Sequence, residues 1–439
     1  MDKVRKYKNI DMRFHMPAHA DIADEELYSN AKFDITELNF SDNLLQPEGV
    51  ILELEKELAR VYGSKRCLIL TNGATCGNFI AINVLKSYGK ILVCPNCHKS
   101  IYNAIKLFDA DADFIDGGDY PNGLPMPVNA EDIDYRLNCG VKYGSVILTS
   151  PTYFGSAVSA ELILKLKKRG LKVFADQSHG GHFVYSSLLP DSLSNSADIV
   201  VDSLHKTLPV YTGGALLHIN NDSLITKAEF YHSILHSSSP NYVTMCSIDY
   251  TQDKFKREGE TLYASLYERL MANKLDSFKI VKTDDFSRLV VDVAPYSAKV
   301  AANLLEKFGI YIEMSYKNFL ILILSPLNAD KLDRLFDSLN AVADIMKINE
   351  NFNLTENTII MKAAAKKVEI TNEKYDLEFV PLEDCENRLS YAEIGIYPPG
   401  IPFIKAFDRI SPEQKKCMLC NRNSLFGLVS GKICVIVER

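Results

Sequence analysis

The chain lacks the hydrophobic runs that a membrane span requires. Its longest apolar stretch, from about Phe319 to Leu324, falls far short of the ~18 residues needed. It has no excess of positive charge either: 49 Lys and Arg stand against 56 Asp and Glu, a net of −7. That balance argues against a nucleic-acid binder relying on overall charge. The charged start, Met1-Asp2-Lys3-Val4-Arg5-Lys6, leads into no apolar segment, so no secretory signal is read there. Without one, ten scattered cysteines default to reduced thiols, and the expectation is a cytoplasmic protein. Neither GxGxxG nor GxxxxGK[ST] occurs, which removes local support for dinucleotide or P-loop chemistry. No histidine follows His236, so any imidazole chemistry belongs to the chain before it.

What is present has the composition of a folded protein, 47% hydrophobic and 24% charged. At roughly 100–200 residues per domain, 439 residues predict two to four domains. Short apolar segments (Cys67–Leu70, Ile91–Val93, Val146–Leu148, Leu171–Ala175, Asp198–Asp202) alternate with helix-like stretches (Val50–Val61, Thr75–Ser87, Ser100–Phe108, Ala160–Arg169). Such alternation predicts βαβ units and an α/β fold with a mostly parallel sheet. The pattern then changes. Strand-like Arg288–Val293, Tyr311–Met314 and Phe319–Leu324 interleave with helix-like Ala298–Phe308 and Ala329–Ala341. This predicts a compact α+β unit. The expected division is an N-terminal segment over 1–30, a large domain over 31–280, a small domain over 281–345 and a C-terminal region over 346–439. Within the last, residues 345–375 read as a polar linker and Ile433–Val437 as a closing strand.

Three segments carry chemistry. In the first, a strand runs into Asn72-Gly73-Ala74-Thr75 and then a helix. Small residues at a helix N-terminus let backbone N–H groups meet an anion, and Thr75 adds a hydroxyl; a simple capped helix fits equally well. The second is Asp176-Gln177-Ser178-His179-Gly180-Gly181-His182, with a carboxylate at a strand's C-terminal end, where ligands bind in open α/β sheets. A metal held by Asp176, His179 and His182, or a turn with solvated histidines, would use the same residues. The third is Ser203-Leu204-His205-Lys206-Thr207 after another strand. A lysine placed there, beside a histidine and hydroxyls, suits Schiff-base chemistry, although a surface lysine is the plain alternative. Together the three form the parts list for pyridoxal phosphate. The cradle and Ser203 hold a phosphate, Asp176 pairs with a pyridinium nitrogen, and Lys206 takes the aldehyde.

The chain then resembles the Orn/Lys/Arg decarboxylase family, the major basic amino acid decarboxylases of PLP fold type I (aspartate aminotransferase-like). The matching segments are Asp34-Ile35-Thr36-Glu37-Leu38, Asp42-Asn43-Leu44 with Pro47-Glu48-Gly49, Asn72 to Thr75, Asn96-Cys97-His98-Lys99-Ser100, Ser150-Pro151-Thr152-Tyr153-Phe154-Gly155, Asp176 to Phe183, Ser203 to Pro209, Ser238-Ser239-Pro240-Asn241-Tyr242 and Tyr397 to Pro402. The resemblance implies decarboxylation of arginine, lysine or ornithine, the amines feeding polyamine synthesis. It places His98 on the cofactor ring opposite the lysine, groups His179 with the cofactor-binding residues, and sets Ser203 and His205 at the phosphate with Ala74 and Thr75. Ser238 matches a position reaching the neighbouring subunit's cofactor, which implies at least a homodimer. The resemblance is to a short form without the N-terminal wing some relatives carry. Lys206 or His205 is the implied proton donor to Cα. Glu37, Asp42 and Glu313 are the acids considered for a substrate's distal cation.

Three departures accompany it. Pro17-Ala18-His19-Ala20 stands where the family usually has Pro-Gly-His-Lys, Lys405-Ala406-Phe407 where it has Pro-Gly-Glu, and Gln177 where Glu is commoner. They leave room for another outcome at Cα or Cβ, such as elimination or aldol-type cleavage, or for a catalytically silent member. No metal is expected. Cys94/Cys97 and Cys417/Cys420 are C-x2-C pairs, but they lie far beyond the ~15–20 residues that separate paired zinc knuckles.

Overall fold

The computed structural model describes residues 12–14, 41–115, 117–121, 123–348, 375–396 and 401–437. The Pro17-Ala18-His19-Ala20 motif, the Asp34–Leu38 segment with Glu37, Tyr397–Gly400 and most of the expected linker lie outside these residues. The described chain separates into two compact units. One holds residues up to Asn96 and Ala104–Asn353; the other holds Cys97–Asn103 and the chain from Leu354 onward.

In the first unit the elements in chain order are β1 (Met12–Phe14), α1 (Val50–Tyr62), β2 (Arg66–Leu70), α2 (Ala74–Leu85), β3 (Lys90–Val93), α3 (Lys99–Leu107, which enters from the other unit), β4 (Ala112–Phe114), α4 (Ala130–Leu137), β5 (Tyr143–Thr149), α5 (Ala160–Lys168), β6 (Lys172–Asp176), β7 (Ile199–Asp202), β8 (Ala215–Ile219), α6 (Asp222–Leu235) and α7 (Tyr242–Ala272). Seven of these strands form one sheet, in the order β2-β8-β7-β6-β5-β3-β4. Every pairing from β7 to β4 is parallel, while β8 runs antiparallel to both β7 and β2. The mostly parallel sheet is therefore as expected. Strands β6 and β7 read as nearly continuous apolar runs because the sheet buries them on both faces. Each ends in an aspartate, Asp176 and Asp202, at the carboxyl edge.

The chain continues through β9 (Lys279–Val281), β10 (Arg288–Asp292), α8 (Ala298–Lys307), β11 (Ile310–Ile312), β12 (Met314–Tyr316), β13 (Phe319–Ile323) and α9 (Leu332–Lys347). Four strands make an antiparallel sheet in the order β12-β13-β10-β9, and β1 pairs parallel with β11. The sequence reading merged Tyr311–Met314 into one strand. The structure splits it at Glu313, since β11 pairs with β1 and β12 with β13. The expected helix over Ala329–Ala341 starts later and runs on to Lys347, because Ser325 and Pro326 first open a short 3-10 segment with a capping box. One core of buried apolar residues joins α1, α7 and this second sheet. Asp42 locks the entry to α1: its carboxylate accepts from the backbone N–H groups of Asn43, Glu48, Gly49 and Ile51.

The second unit contains β14 (Leu377–Pro381), β15 (Leu389–Ser390), β16 (Ile394–Ile396), β17 (Ile401–Ile404), α10 (Pro412–Cys420), β18 (Leu425–Phe426), β19 (Leu428–Val429) and β20 (Lys432–Ile436). β20 pairs with β14, β15 and β19, and β16 joins β17 to β18. Its own small core includes Leu382, Ile394, Ile404, Met418 and Ile433. Among the described residues no helix is long and apolar enough to cross a membrane.

Candidate active site

The three chemistry-bearing segments meet at the carboxyl edge of the seven-stranded sheet. The turn before α2 is tied to the loop before β8 by Gly73 N–H donating to the Gly213 carbonyl at 2.8 Å. Both glycines adopt positive φ, 88° and 99°, and a Cβ on Gly213 would lie 2.9 Å from the Thr71 carbonyl oxygen. Only glycine allows this approach. The N-terminus of α2 carries no side-chain cap and no acid in its first turn, as an anion site requires. Ala74 there is buried and Thr75 exposed. Beside Gly213, the Gly214 carbonyl lies 3.2 Å from His205 Nδ1, which is 3.4 Å from the hydroxyl of buried Ser203.

Asp176, buried at the end of β6, accepts hydrogen bonds from Asn78 Nδ2 at 3.1 Å, from Ser178 N–H at 3.2 Å and from the Ser178 hydroxyl. Lys206 ends the 3-10 turn after β7, and its Nζ lies 3.1 Å from His179 Nε2. Burial pulls the Lys206 ammonium below its ordinary range; Asp176 opposes this, Arg288 adds to it and Glu313 opposes it. On the other side of the imidazole, Arg288 Nη2 stands 3.0 Å from His179 Nδ1. Tyr153 packs edge-on against His179 with ring centroids 4.8 Å apart, and its hydroxyl donates to Glu313.

His182, grouped with Asp176 and His179 in the metal alternative, turns elsewhere: its Nε2 lies 3.0 Å from the Ser287 hydroxyl and 3.4 Å from Asp285. Among the described residues no three His, Cys, Asp or Glu side chains are grouped to hold a metal ion. His98 belongs to the short segment that clusters with the second unit, where its Nδ1 lies 2.8 Å from the Ser100 hydroxyl. Ser238 is exposed just beyond α6.

Sequence reasoning missed Asn78, Ser178 and Arg288. Asn78 was readable in principle, since it lies one helical turn beyond Ala74 in α2. Arg288 gave one faint signal, an arginine opening an otherwise apolar strand. The donor set fits pyridoxal phosphate. It offers a glycine-lined helix N-terminus for the phosphate, a carboxylate fixed by three donors for the ring nitrogen, and a lysine whose surroundings favour the free amine.

The family described as Orn/Lys/Arg decarboxylase, major domain, matches residues 28–285, more than half of the sequence. The uncharacterized protein YaaO of Bacillus subtilis is 30% identical over 91% of this chain and 89% of its own length. An arginine decarboxylase of the same organism is 24% identical over 92% of this chain and 89% of its own. Among solved structures, lysine decarboxylase A from Pseudomonas aeruginosa superposes with a TM-score of 0.75 at 16% identity, covering 92% of this chain and 73% of that one. Other superposable structures include serine palmitoyltransferase with its PLP aldimine, at a TM-score of 0.59. The fold is that of PLP fold type I, and the chain belongs to the Orn/Lys/Arg decarboxylase family.

Proposed function

We propose that this chain is a pyridoxal-phosphate-dependent decarboxylase of a basic amino acid, converting arginine, lysine or ornithine to the amine and CO2. The observation that carries the reading is the placing of Lys206, paired through His179 and flanked by Asp176, at the carboxyl edge of the sheet. When bound, the cofactor supplies an electron sink for the pair left behind by departing CO2. The protein's own residues do the rest. Asp176 holds a negative charge where the ring nitrogen would sit, fixed by Asn78 and Ser178. With the cofactor bound, Gly73, Ala74, Thr75, Ser203 and His205 would hold its phosphate, and His98 would cover its ring. Lys206 Nζ or His205 returns the proton to Cα. Of Asp42 and Glu313, the two candidates among the described residues, Glu313 is oriented by Tyr153, acts electrostatically on Lys206 and is the one to meet a substrate's distal cation. Asp42 is already occupied by four backbone donors and is set aside for that role.

The same reading takes the working unit to be a cytoplasmic homodimer in which Ser238 contributes to the neighbour's phosphate site, its amines feeding polyamine synthesis. The test is a product screen. Purified protein with pyridoxal phosphate is given arginine, lysine and ornithine in separate tubes, and the amines are identified by mass spectrometry. Agmatine, cadaverine or putrescine in one tube supports the proposal and names the substrate. No amine in any tube, from protein that is yellow with bound cofactor, overturns it in favour of another bond cleavage.

A further inference from the structure

Arg288 is the largest of the fully buried side chains, with 1% of its surface exposed. It opens β10 and reaches the site through the turn of Tyr153-Phe154-Gly155. Gly155 has φ +87°, and a Cβ there would lie 2.9 Å from the Arg288 Cβ. The backbone N–H groups of Asp284 and Asp285 bind the Gly155 carbonyl and hold the two segments together. Of the guanidinium nitrogens, Nε and Nη1 have no hydrogen-bond partner, while Nη2 stands 3.0 Å from His179 Nδ1. The guanidinium also stands over the Tyr153 ring, 5.8 Å from its centroid, but its hydrogen-bonding contact is the one to His179. A buried guanidinium left otherwise unpaired is costly, so that contact calls for an account.

Donor and acceptor inventory supplies one. A guanidinium only donates, so Nδ1 of His179 must accept and carry no proton. A neutral imidazole keeps one proton, which then sits on Nε2. Nε2 faces Lys206 Nζ at 3.1 Å. An N–H aimed at that nitrogen needs a lone pair there, which an ammonium lacks and a free amine has. We propose that Arg288 is a positioning residue that fixes His179 as the Nε2–H tautomer and thereby holds Lys206 as the free amine. The inference rests on the reading of Lys206 as the cofactor's lysine only for its purpose; the tautomer itself stands apart from it. The influences on Lys206 differ in sign, with burial the largest and the net shift toward the amine. Burial and Arg288 favour the amine, against Asp176 and Glu313. A carbonyl carbon is attacked by an amine and not by an ammonium, so the lock keeps Lys206 in the form that reacts once the hydrogen bond from Nε2–H is released.

The test uses protein freed of pyridoxal phosphate, with nitrogen-15 in its histidines. Long-range proton–nitrogen correlation spectra across neutral to alkaline pH distinguish the two tautomers, and His179→Gln identifies the His179 signals. The wild type is expected to show a protonated Nε2 and a bare Nδ1 at His179. Arg288→Lys, which still only donates, is expected to keep that pattern. Arg288→Met is expected to lose it and to move the pH midpoint of cofactor uptake upward by about one unit, about tenfold slower uptake below the midpoint. A proton on Nδ1 in the wild type overturns the proposal. So does an Arg288→Met protein with unchanged tautomer and unchanged uptake profile. If Arg288→Met fails to fold, the wild-type spectrum alone decides. Absence of decarboxylation with the Nε2–H tautomer in place would count against the proposed reaction and leave the lock standing.

Discussion

His179 and His182 lie three residues apart, and the short segment Asp285–Arg288 serves both, yet the two end in opposite circumstances. His182 faces Asp285 and Ser287 in a closed cluster, with His182 and Asp285 each 0% exposed. Ser287 donates to Asp285 through both its N–H and its hydroxyl. A serine, a histidine and an aspartate are all present, but no substrate can enter. His179 instead bridges Arg288 to the partly exposed Lys206 at the sheet edge. The first arrangement turns its groups on one another and is sealed from solvent, with His182 Nδ1 and Asp285 Oδ2 left without a hydrogen bond. The second leaves a nucleophile that is not sealed from solvent. Residue types alone do not separate a structural cluster from a chemical one; access does.

The two clusters differ most at Lys206. Lys206→Ala is expected to abolish cofactor colour and turnover while leaving the thermal melt close to wild type. Visible absorption and the amine assay check it, and full activity in the variant would remove Lys206 from the site. The closed cluster predicts the reverse. Burial pushes the Asp285 carboxyl up, but His182, Arg288 and Ser287 outweigh it and hold it below the usual range. A depressed carboxylate contributes stability above its unfolded pKa and loses it as pH falls through the folded value. Asp285→Asn should therefore cost about 3 kcal/mol at neutral pH, since it breaks a buried charged network. The gap to wild type should close well below pH ~4, where the unfolded carboxyl is protonated. Melts across that range test it, and a constant gap would mean that the charge of Asp285 is irrelevant.

The edge of the sheet was legible because its chemistry is local. Asp176 and Lys206 each end or follow a continuous apolar run, and strand periodicity marks such runs. The turn at Gly73 announced itself by small residues at a strand–helix junction. Arg288 was not legible, because its role is set by a contact across 109 residues of sequence. The 31-residue helix α7 also went unread as a helix. Its buried positions recur every three or four residues, but Thr244, Ser247, Thr251, Gln252 and Gly259 are among them, so the stripe is only partly apolar. β8 was missed because a buried histidine interrupts its apolar run. That residue, His218, is accommodated by stacking on Tyr62, with ring centroids 4.7 Å apart.

The smaller effects sharpen the same contrast in a second pair of acids, both considered for a substrate's distal cation. Glu313 takes the Tyr153 hydroxyl and acts electrostatically on Lys206. Glu313→Gln is expected to raise KM for the basic substrate about tenfold, roughly 1.4 kcal/mol, with little change in the melt. An unchanged KM would remove Glu313 from substrate binding. Asp42 is the closed counterpart. Burial raises its carboxyl, but the backbone donors Glu48, Gly49, Asn43 and Ile51 outweigh this and hold it below its ordinary value. Those bonds fix the start of α1, whose Ile51, Leu58 and Tyr62 pack into the main core. Asp42→Ala should therefore cost about 1 kcal/mol of stability, as losing a capping side chain does. KM should not move. Denaturant unfolding and steady-state kinetics on the one variant separate the outcomes. A stable protein with a raised KM would turn the assignment around and make Asp42 the substrate's partner. A destabilised protein with unchanged kinetics would place it with His182 among the residues that serve the fold.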